Sequence, residues 1–451
     1  MSGNFFQKQL GRRVSEQCYV VVILSLLFIT FIAKPILAAP LFQLNINDTD
    51  PVHPGSYSHT YDTAPDLVSD LENLSSHFTT SYTNNDPITA ILSFRGIPIT
   101  VNYAQSSPTL KLDIDSIGLH QTFSGTTRND SVEQLKDWFT KSGSDTLKAL
   151  MQDSAKTTPN DPMAGNPSSL SSQMVANSFN QGFMDKVSFL GSSSAGQQPV
   201  VTTGAANVNA NLFGVEAYYS RFTNDNANID SLTIPLFYTF RSNEDERKQF
   251  TITVPVTWNR YDSANSYATG LGLALSIPIT DKNSEHQWIL TPSVYYLLAA
   301  SLDMYSGGQL LQGGVTSAYS YQMGDYRFGM GNSVAYQQSI PLAVADIYVD
   351  PGICNTIFTN SLVVSIRTTK LVSGTALEMF VTDTRFTGHD LYSNYSDEFG
   401  IAWGFVKRDS VERFKDSSKI TRNILSNFRL GFSYTIAEGN KGVTVNLGST
   451  F

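Results

Sequence analysis

The chain is poor in charge. Of its 451 residues, 15% are Asp, Glu, Lys or Arg, against about 25% in ordinary soluble domains. A large part of its surface must therefore be something other than a charged, water-facing shell. A basic excess is missing as well: 30 Lys and Arg stand against 39 Asp and Glu, so there is nothing to neutralise phosphates, and nucleic acid is excluded as a partner. Two cysteines, Cys18 and Cys354, cannot make a disulfide scaffold. Only one long apolar run occurs, near the start, which excludes a bundle of transmembrane helices. No Gly-x-Ser-x-Gly motif and no His/Cys set with metal-ligand spacing is present, so neither an enzyme nor a cofactor is expected.

What is present begins with a targeting pattern. Lys8, Arg12 and Arg13 precede an apolar run from Cys18 to Ala33, and Ile36-Leu37-Ala38-Ala39 follows Lys34-Pro35. A positive end, a short apolar core and small residues at the exit describe a secretory signal peptide over residues 1–39, with cleavage after Ala38. The run is too short to span a bilayer as a helix.

From about Leu212 onward apolar and polar residues alternate strictly. Phe250, Ile252, Val254, Val256 and Trp258 alternate with Thr251, Thr253, Pro255, Thr257 and Asn259; Leu271, Leu273, Leu275, Ile277 and Ile279 alternate with Gly272, Ala274, Ser276, Pro278 and Thr280. Period two over about ten residues is a strand with one apolar and one polar face. Strands are predicted near 212–223, 231–241, 249–260, 267–280, 288–302, 310–323, 326–339, 356–368, 374–385, 397–406, 423–436 and 442–451. Strands this long suit a membrane-spanning barrel better than a soluble sandwich, whose strands average about five to six residues. The opposite faces are rich in Thr, Ser, Gly and Asn. Aromatic residues recur at strand ends, among them Tyr238, Phe240, Trp258, Tyr261, Tyr267, Trp288, Tyr319, Tyr321, Tyr326, Trp403 and Phe405, as an interfacial girdle requires. The fold class is thus an all-β antiparallel transmembrane barrel of about twelve strands, residues 212–451, behind a small N-terminal α+β domain.

The last ten residues, Gly442-Val-Thr-Val-Asn-Leu-Gly-Ser-Thr-Phe451, place Val445, Leu447 and Phe451 on one face. This strand resembles the terminal strand of Gram-negative outer-membrane proteins. The resemblance implies Val445, Leu447 and Phe451 as the signal read by a barrel-assembly machinery, passage through the secretion translocon, and outer-membrane lipid and lipopolysaccharide as surroundings. An export signal followed by a C-terminal barrel also resembles the autotransporter layout.

Residues 40–65, rich in Asp, Asn, His, Ser and Pro, read as a flexible linker; His53, His59, Asp48, Asp50 and Asp62 match no metal-site spacing. A small α+β unit is expected over 66–190, then a second linker over 191–211. Its elements are a helix carrying Leu67, Leu71 and Leu74, strands over Ile91–Tyr103 and Leu110–Asp115, a helix capped by Asp130 with Glu133 and carrying Val132, Leu135, Trp138 and Phe139, and a helix starting at Asn166-Pro167 with Leu170, Met174, Val175, Phe179 and Phe183 on its face. Asp113 and Asp115 read as a solvated strand face, and His77 and His120 have no nucleophile beside them. Pro159–Pro167 reads as a helix-capping turn.

Strand parity also assigns the charges of the barrel. Glu216 lies opposite the face carrying Val215 and Ala217, and the same rule turns Arg241, Arg327, Arg367, Glu378 and Arg429 inward. Because odd strands begin and even strands end at one rim, all six gather at one mouth. There they either form a salt-bridge network that braces or closes the lumen, or a selectivity ring favouring anions. The functional expectation is an outer-membrane channel or transporter with a periplasmic N-terminal domain. The alternative is an anchor or secretion barrel that carries the 66–190 unit and is plugged by the 166–186 helix. An outer-membrane hydrolase is a third reading, with His286 and His389 in predicted connections. Cys354, without an intrachain partner, is expected in an extracellular connection over 341–355.

Overall fold

The computed structural model describes residues 41–52, 54–72, 83–190, 211–224, 228–344, 347–368, 372, 374–406 and 428–450. The expected signal peptide, residues 191–210 of the expected linker, His53, His77, Leu74 and Phe451 lie outside the described residues.

Twelve antiparallel strands close into a barrel. They are β7 (Leu212–Asn224), β8 (Asn228–Arg241), β9 (Gln249–Tyr261), β10 (Ala264–Pro278), β11 (His286–Ser301), β12 (Ser306–Met323), β13 (Tyr326–Ser339), β16 (Cys354–Arg367), β17 (Thr375–Gly388), β18 (Tyr395–Phe405), β19 (Arg429–Ala437) and β20 (Asn440–Thr450). Each strand pairs with its neighbour in sequence, and β20 pairs with β7 in the register Leu447↔Ala217 to seal the sheet, so no strand edge remains open. A short hairpin, β14 (Leu342–Val344) and β15 (Ile347–Val349), decorates the connection between β13 and β16. The two rims differ. One, here the terminal rim, carries the start of β7 and the end of β20. The other, the distal rim, carries the β11–β12 turn, the β14–β15 hairpin and the β17–β18 turn.

The outer face of this barrel is apolar. Leu271, Leu273, Leu275, Val254, Val256, Val294, Val315, Val334 and Leu362 are all exposed. A closed barrel that turns such a belt outward, with Ser, Thr, Asn and Gln inside, is built for a lipid environment. Among the expected girdle residues Tyr261 departs: it is buried with Phe222, Ile229, Ala264 and Met304, because its parity is that of Thr257 and Asn259, on the inner face.

The N-terminal region is a six-stranded antiparallel sheet in the order β2-β1-β3-β4-β5-β6, from β1 (Phe42–Asp48), β2 (Gly55–Tyr61), β3 (Ile88–Phe94), β4 (Ile97–Tyr103), β5 (Thr109–Ile114) and β6 (Leu119–Ser124), with helices α1 (Ala64–Glu72), α2 (Arg128–Ser142) and α3 (Ser144–Thr157). The expected linker over 40–65 is therefore corrected. Phe42, Leu44 and Ile46 alternate inward into a core with Tyr61, Ala64 and Leu67, and β1 supplies the pairing edge for both β2 and β3. The cap of α2 also shifts by one turn. Thr127 and Asp130 form the reciprocal pair, since Asp130 accepts from the Thr127 amide and the Asp130 amide donates to Thr127 Oγ1. Hydrogen bonds from the Thr126 hydroxyl first, and then from Thr127, hold the Asp130 carboxyl below its ordinary range. Asp115 leaves the strand for a 3-10 turn, so it does not share a strand face with Asp113, which pairs instead with exposed His120 at 2.8 Å.

The largest correction concerns residues 158–190. They do not belong to the sheet domain; they occupy the barrel lumen. After α3 a buried irregular stretch leads to α4 (Leu170–Gly182) and α5 (Met184–Val187). Helix α4 starts at Leu170, not at Pro167, because Ser169 caps it, its side chain accepting from the Ser172 amide.

Candidate functional site

The chain reaches the lumen from the distal rim. Leu41 packs under the Phe222–Tyr261–Met304 cluster, and the Ala64 amide donates to the Asp303 carbonyl at 2.7 Å. At the other side of the same rim Gln152 donates to the Pro351 carbonyl at 2.8 Å, Lys156 pairs with Asp390 at 3.2 Å, and the Tyr392 amide donates to the Ala155 carbonyl at 2.8 Å. The domain thus sits on the distal rim.

Between domain and helix, Pro159–Pro167 is more than a capping turn. Arg95, held at positive φ in the β3–β4 turn, reaches Asn160 at 3.1 Å and Asp161 at 3.2 Å. Asn166 donates to the Pro159 carbonyl. Gly165, at φ 74°, lies so close to the Ser393 carbonyl that a Cβ would stand 2.2 Å from it. The loop is an ordered wedge in the mouth of the barrel.

Helix α4 then runs down the lumen and is keyed to one wall by side-chain amides and a phenol. Gln337 Nε2 donates to the Ser171 carbonyl at 2.9 Å, and Ser171 Oγ donates back to Gln337 Oε1 at 2.5 Å. Gln312 donates to Ser178 at 2.7 Å. Gln181 donates to Thr253 at 2.7 Å and accepts from the Tyr295 hydroxyl at 2.5 Å. These partners lie on β9, β11, β12 and β13. Glycine makes the fit possible. A Cβ on Gly331 would stand 2.5 Å from the Phe183 ring, and one on Gly329 2.8 Å from Val187 Cγ2, so the inward Gly-x-Gly of β13 is the socket for the end of the plug.

The six sequence-predicted charges all lie near the terminal rim, and the structure divides them. Arg429 Nη2 pairs with Glu216 Oε1 at 2.5 Å, and Tyr218 also donates to Glu216. Glu378, 2% exposed, accepts from Ser188 Oγ at 2.5 Å, from the Leu190 amide at 3.1 Å and from Ser365 Oγ at 2.7 Å. Arg327 and Arg367 place their guanidinium carbons 4.3 and 4.8 Å from the Phe189 ring centre, a cation–π clamp on the plug. Arg241 ends β8 at the same rim, where Lys186 of the plug donates to Gln249 at 2.6 Å. Glu216 and Arg429 thus face one another, and Glu378, Arg327 and Arg367 meet the plug, with Glu378 and Arg429 also bordering the lumen cavity. Above them the 242–248 turn folds over the mouth through Arg247, which donates to Gln287 at 2.5 Å and holds the Asp245 carboxyl below its ordinary range by hydrogen bonding. Val445 and Leu447 lie on β20, Leu447 facing outward.

The plug does not fill the whole lumen. On its other side a cavity of about 190 Å³ extends from Ser396 and Thr435 near the distal rim to Arg429 and Glu378 near the terminal one. Hydroxyls line it, including Ser220, Thr233, Thr384 and Thr444, together with Glu398. Sequence reasoning missed Glu398, although its alternation with outward Phe399 and Ile401 carried the signal. His286 stacks on Tyr321 at 4.6 Å between ring centres, and His389 Nδ1 lies 3.6 Å from Cys354 Sγ at the distal rim. No group of His, Cys, Asp and Glu among the described residues could hold a metal ion.

No protein-family model matches the chain, and no curated protein sequence matches it. Solved structures similar to it include the translocator domain of the autotransporter NalP from Neisseria meningitidis (11% identity over 54% of this chain and 88% of that one, TM-score 0.37). The β domain of the Bordetella autotransporter BrkA (10%, 54% and 100%, TM-score 0.32) and the KdgM porin (11%, 52% and 99%, TM-score 0.29) are others. All are outer-membrane barrels. At this distance the likeness transfers no activity.

Proposed function

We propose that this chain is an outer-membrane anchor that holds its N-terminal sheet domain at the cell surface by a segment threaded through its own barrel. The observation that carries this reading is the path of the chain. The sheet domain sits on the distal rim, residues 158–190 descend through the lumen, and β7 starts at the terminal rim. A domain and the first strand on opposite rims, joined through the pore, fit delivery through the barrel, or folding of the barrel around the segment. Assembly from the periplasm leaves the ends of β7 and β20 on that side, which puts residues 42–157 outside. The contacts of the plug then serve to close the pore afterwards.

A channel with a periplasmic domain is the second reading. It is favoured by the connections 242–248, 279–285 and 368–374 of the terminal rim, which exceed the distal-rim turns other than 340–353, because extracellular loops are usually the longer ones. Protease treatment of intact cells separates the two. Digestion of the sheet domain, with the barrel retained and a periplasmic marker intact, is the result expected. Full protection until the outer membrane is permeabilised would reverse the orientation and favour the channel.

A further inference from the structure

The side of the lumen that helix α4 leaves open is walled by oxygens in register. Across β17, β18 and β19, Thr382, Glu398 and Thr435 stand level with one another. Two residues nearer the terminal rim, Ser433, Thr444, Ser220 and Ser231 form the next inward row, over β19, β20, β7 and β8. Asn446, Tyr218 and Thr233 form the row after that. Rows on one strand face repeat about every 7 Å, and neighbouring strands lie about 4.8 Å apart. A small solute entering beside Ser396 therefore meets oxygens at each level on its way to Arg429. At about 190 Å³ the cavity has room for on the order of ten waters.

Charge along this cavity is one-sided. Arg429, at its lower end, is paired with Glu216 at 2.5 Å, and Glu378 accepts from three donors. Glu398 makes no ion pair among the described residues. Arg241, Arg327 and Arg367 are not among the residues lining the cavity, the last two lying against Phe189. Two further oxygens border the cavity without a donor. One is Gln173 Oε1, on a side chain 7% exposed whose amide nitrogen is spent on the Ser168 carbonyl at 2.8 Å; the other is Asn446 Oδ1. A buried oxygen without a donor carries a cost that water or a cation removes.

We propose that this cavity is a path for small cations past the plug, with Glu398 as the residue that selects their sign. A carboxylate in a narrow wet passage between low-dielectric walls attracts cations and repels anions. The amide oxygens of Gln173 and Asn446 stand where they can replace part of the water that a cation sheds. Anions find hydroxyl donors in the same wall, but their one cationic side chain, Arg429, is already paired. The path is the same whichever rim faces the cell surface, so protease protection of the sheet domain and ion selectivity fail independently.

The full refolded chain is inserted into planar bilayers, and its reversal potential is read in a potassium chloride gradient. A small conductance that prefers potassium over chloride at least about fivefold is expected. Glu398→Gln should lower that ratio at least about threefold and Glu398→Asp should retain it. Glu133→Gln, which removes a carboxylate from exposed helix α2, should leave it unchanged. Thr435→Cys in a Cys354→Ser chain reads the same field with Glu398 in place, and so decides the matter even if Glu398→Gln fails to fold. Its thiol should prefer aminoethyl over sulfonatoethyl methanethiosulfonate several-fold more than free 2-mercaptoethanol does. Anion preference, a ratio indifferent to Glu398→Gln in a protein that keeps its unboiled band, a Thr435→Cys thiol without that preference, or no conductance from wild type that gives the unboiled band overturns the path.

Discussion

The two halves of the lumen wall both carry small and polar inward residues, yet only one hydrogen-bonds helix α4 among the described residues, while the other meets the plug lower down at Glu378, which accepts from Ser188 and the Leu190 amide. Along β9 to β13 the inward set includes long amides and a phenol, Asn259, Gln312, Gln337 and Tyr295, which reach α4. Around β17 to β20 and β7 to β8 the residues facing α4 include Ser220, Thr233, Thr384, Thr435 and Thr444, whose short side chains stop before the helix and leave the cavity. Side-chain reach, and not polarity, decides which wall binds. A polar group that finds a partner in a dry lumen avoids a desolvation penalty of about 1–3 kcal/mol, so each amide contact fixes the rotation of the helix against its wall.

The sharpest way to break this asymmetry is to fill the socket. Gly331→Leu with Gly329→Leu puts side chains where Phe183 and Val187 stand. Overpacking costs about 1–3 kcal/mol per site, enough together to displace the end of the plug while the β13 ladder persists. Single-channel recording of the refolded protein should show conductance several-fold above wild type, approaching that of a chain lacking residues 158–190. Wild-type conductance in the double variant would mean that the glycines are not the socket.

A smaller effect is expected at the latch. Glu378→Leu removes the acceptor shared by Ser188, the Leu190 amide and Ser365. Each buried donor left without an acceptor costs about 1–3 kcal/mol. Phe189 retains its cation–π clamp, so the plug should open intermittently. Brief conductance bursts on a closed baseline are the expected record; a steady open level would assign the whole latch to Glu378.

How much of this was legible in the sequence follows the same physics. The barrel strands were, because period two over ten or more residues leaves little else, and the six charges at one mouth followed from parity alone. The plug was legible only as a helix. Leu170, Met174, Val175 and Phe179 make an apolar stripe that any core would accept, and nothing in that stripe says whether a sheet domain or a barrel interior covers it. β2 was hidden because Gly55–Tyr61 has no apolar alternation and gains its place by pairing with Phe42–Asp48, whereas the alternation of Phe42, Leu44 and Ile46 with Gln43, Asn45 and Asn47 was a strand signal that sequence reasoning passed over.

The smallest effect should come from the wall that does not grip. Thr384 and Thr435 line the cavity from β17 and β19, and neither hydroxyl makes a hydrogen bond to the plug. Thr384→Val with Thr435→Val keeps shape and removes two hydroxyls that water can satisfy in the cavity. On the gripping wall, Gln312→Ala with Gln337→Ala removes the donors to Ser178 and to the Ser171 carbonyl and leaves Ser171 Oγ without its acceptor, at about 1–3 kcal/mol for a buried group left unsatisfied. Urea titration followed by loss of the unboiled gel band should therefore leave the valine pair within about 0.5 kcal/mol of wild type, and move the midpoint clearly for the alanine pair. The two pairs also differ in what they do to a solute. Replacing Thr384 and Thr435 by Trp instead narrows the cavity without touching α4, so any residual conductance of the plugged barrel should fall while stability holds. Equal destabilisation by the valine and alanine pairs would mean that both walls hold the plug, and the asymmetry between them would carry no energetic weight.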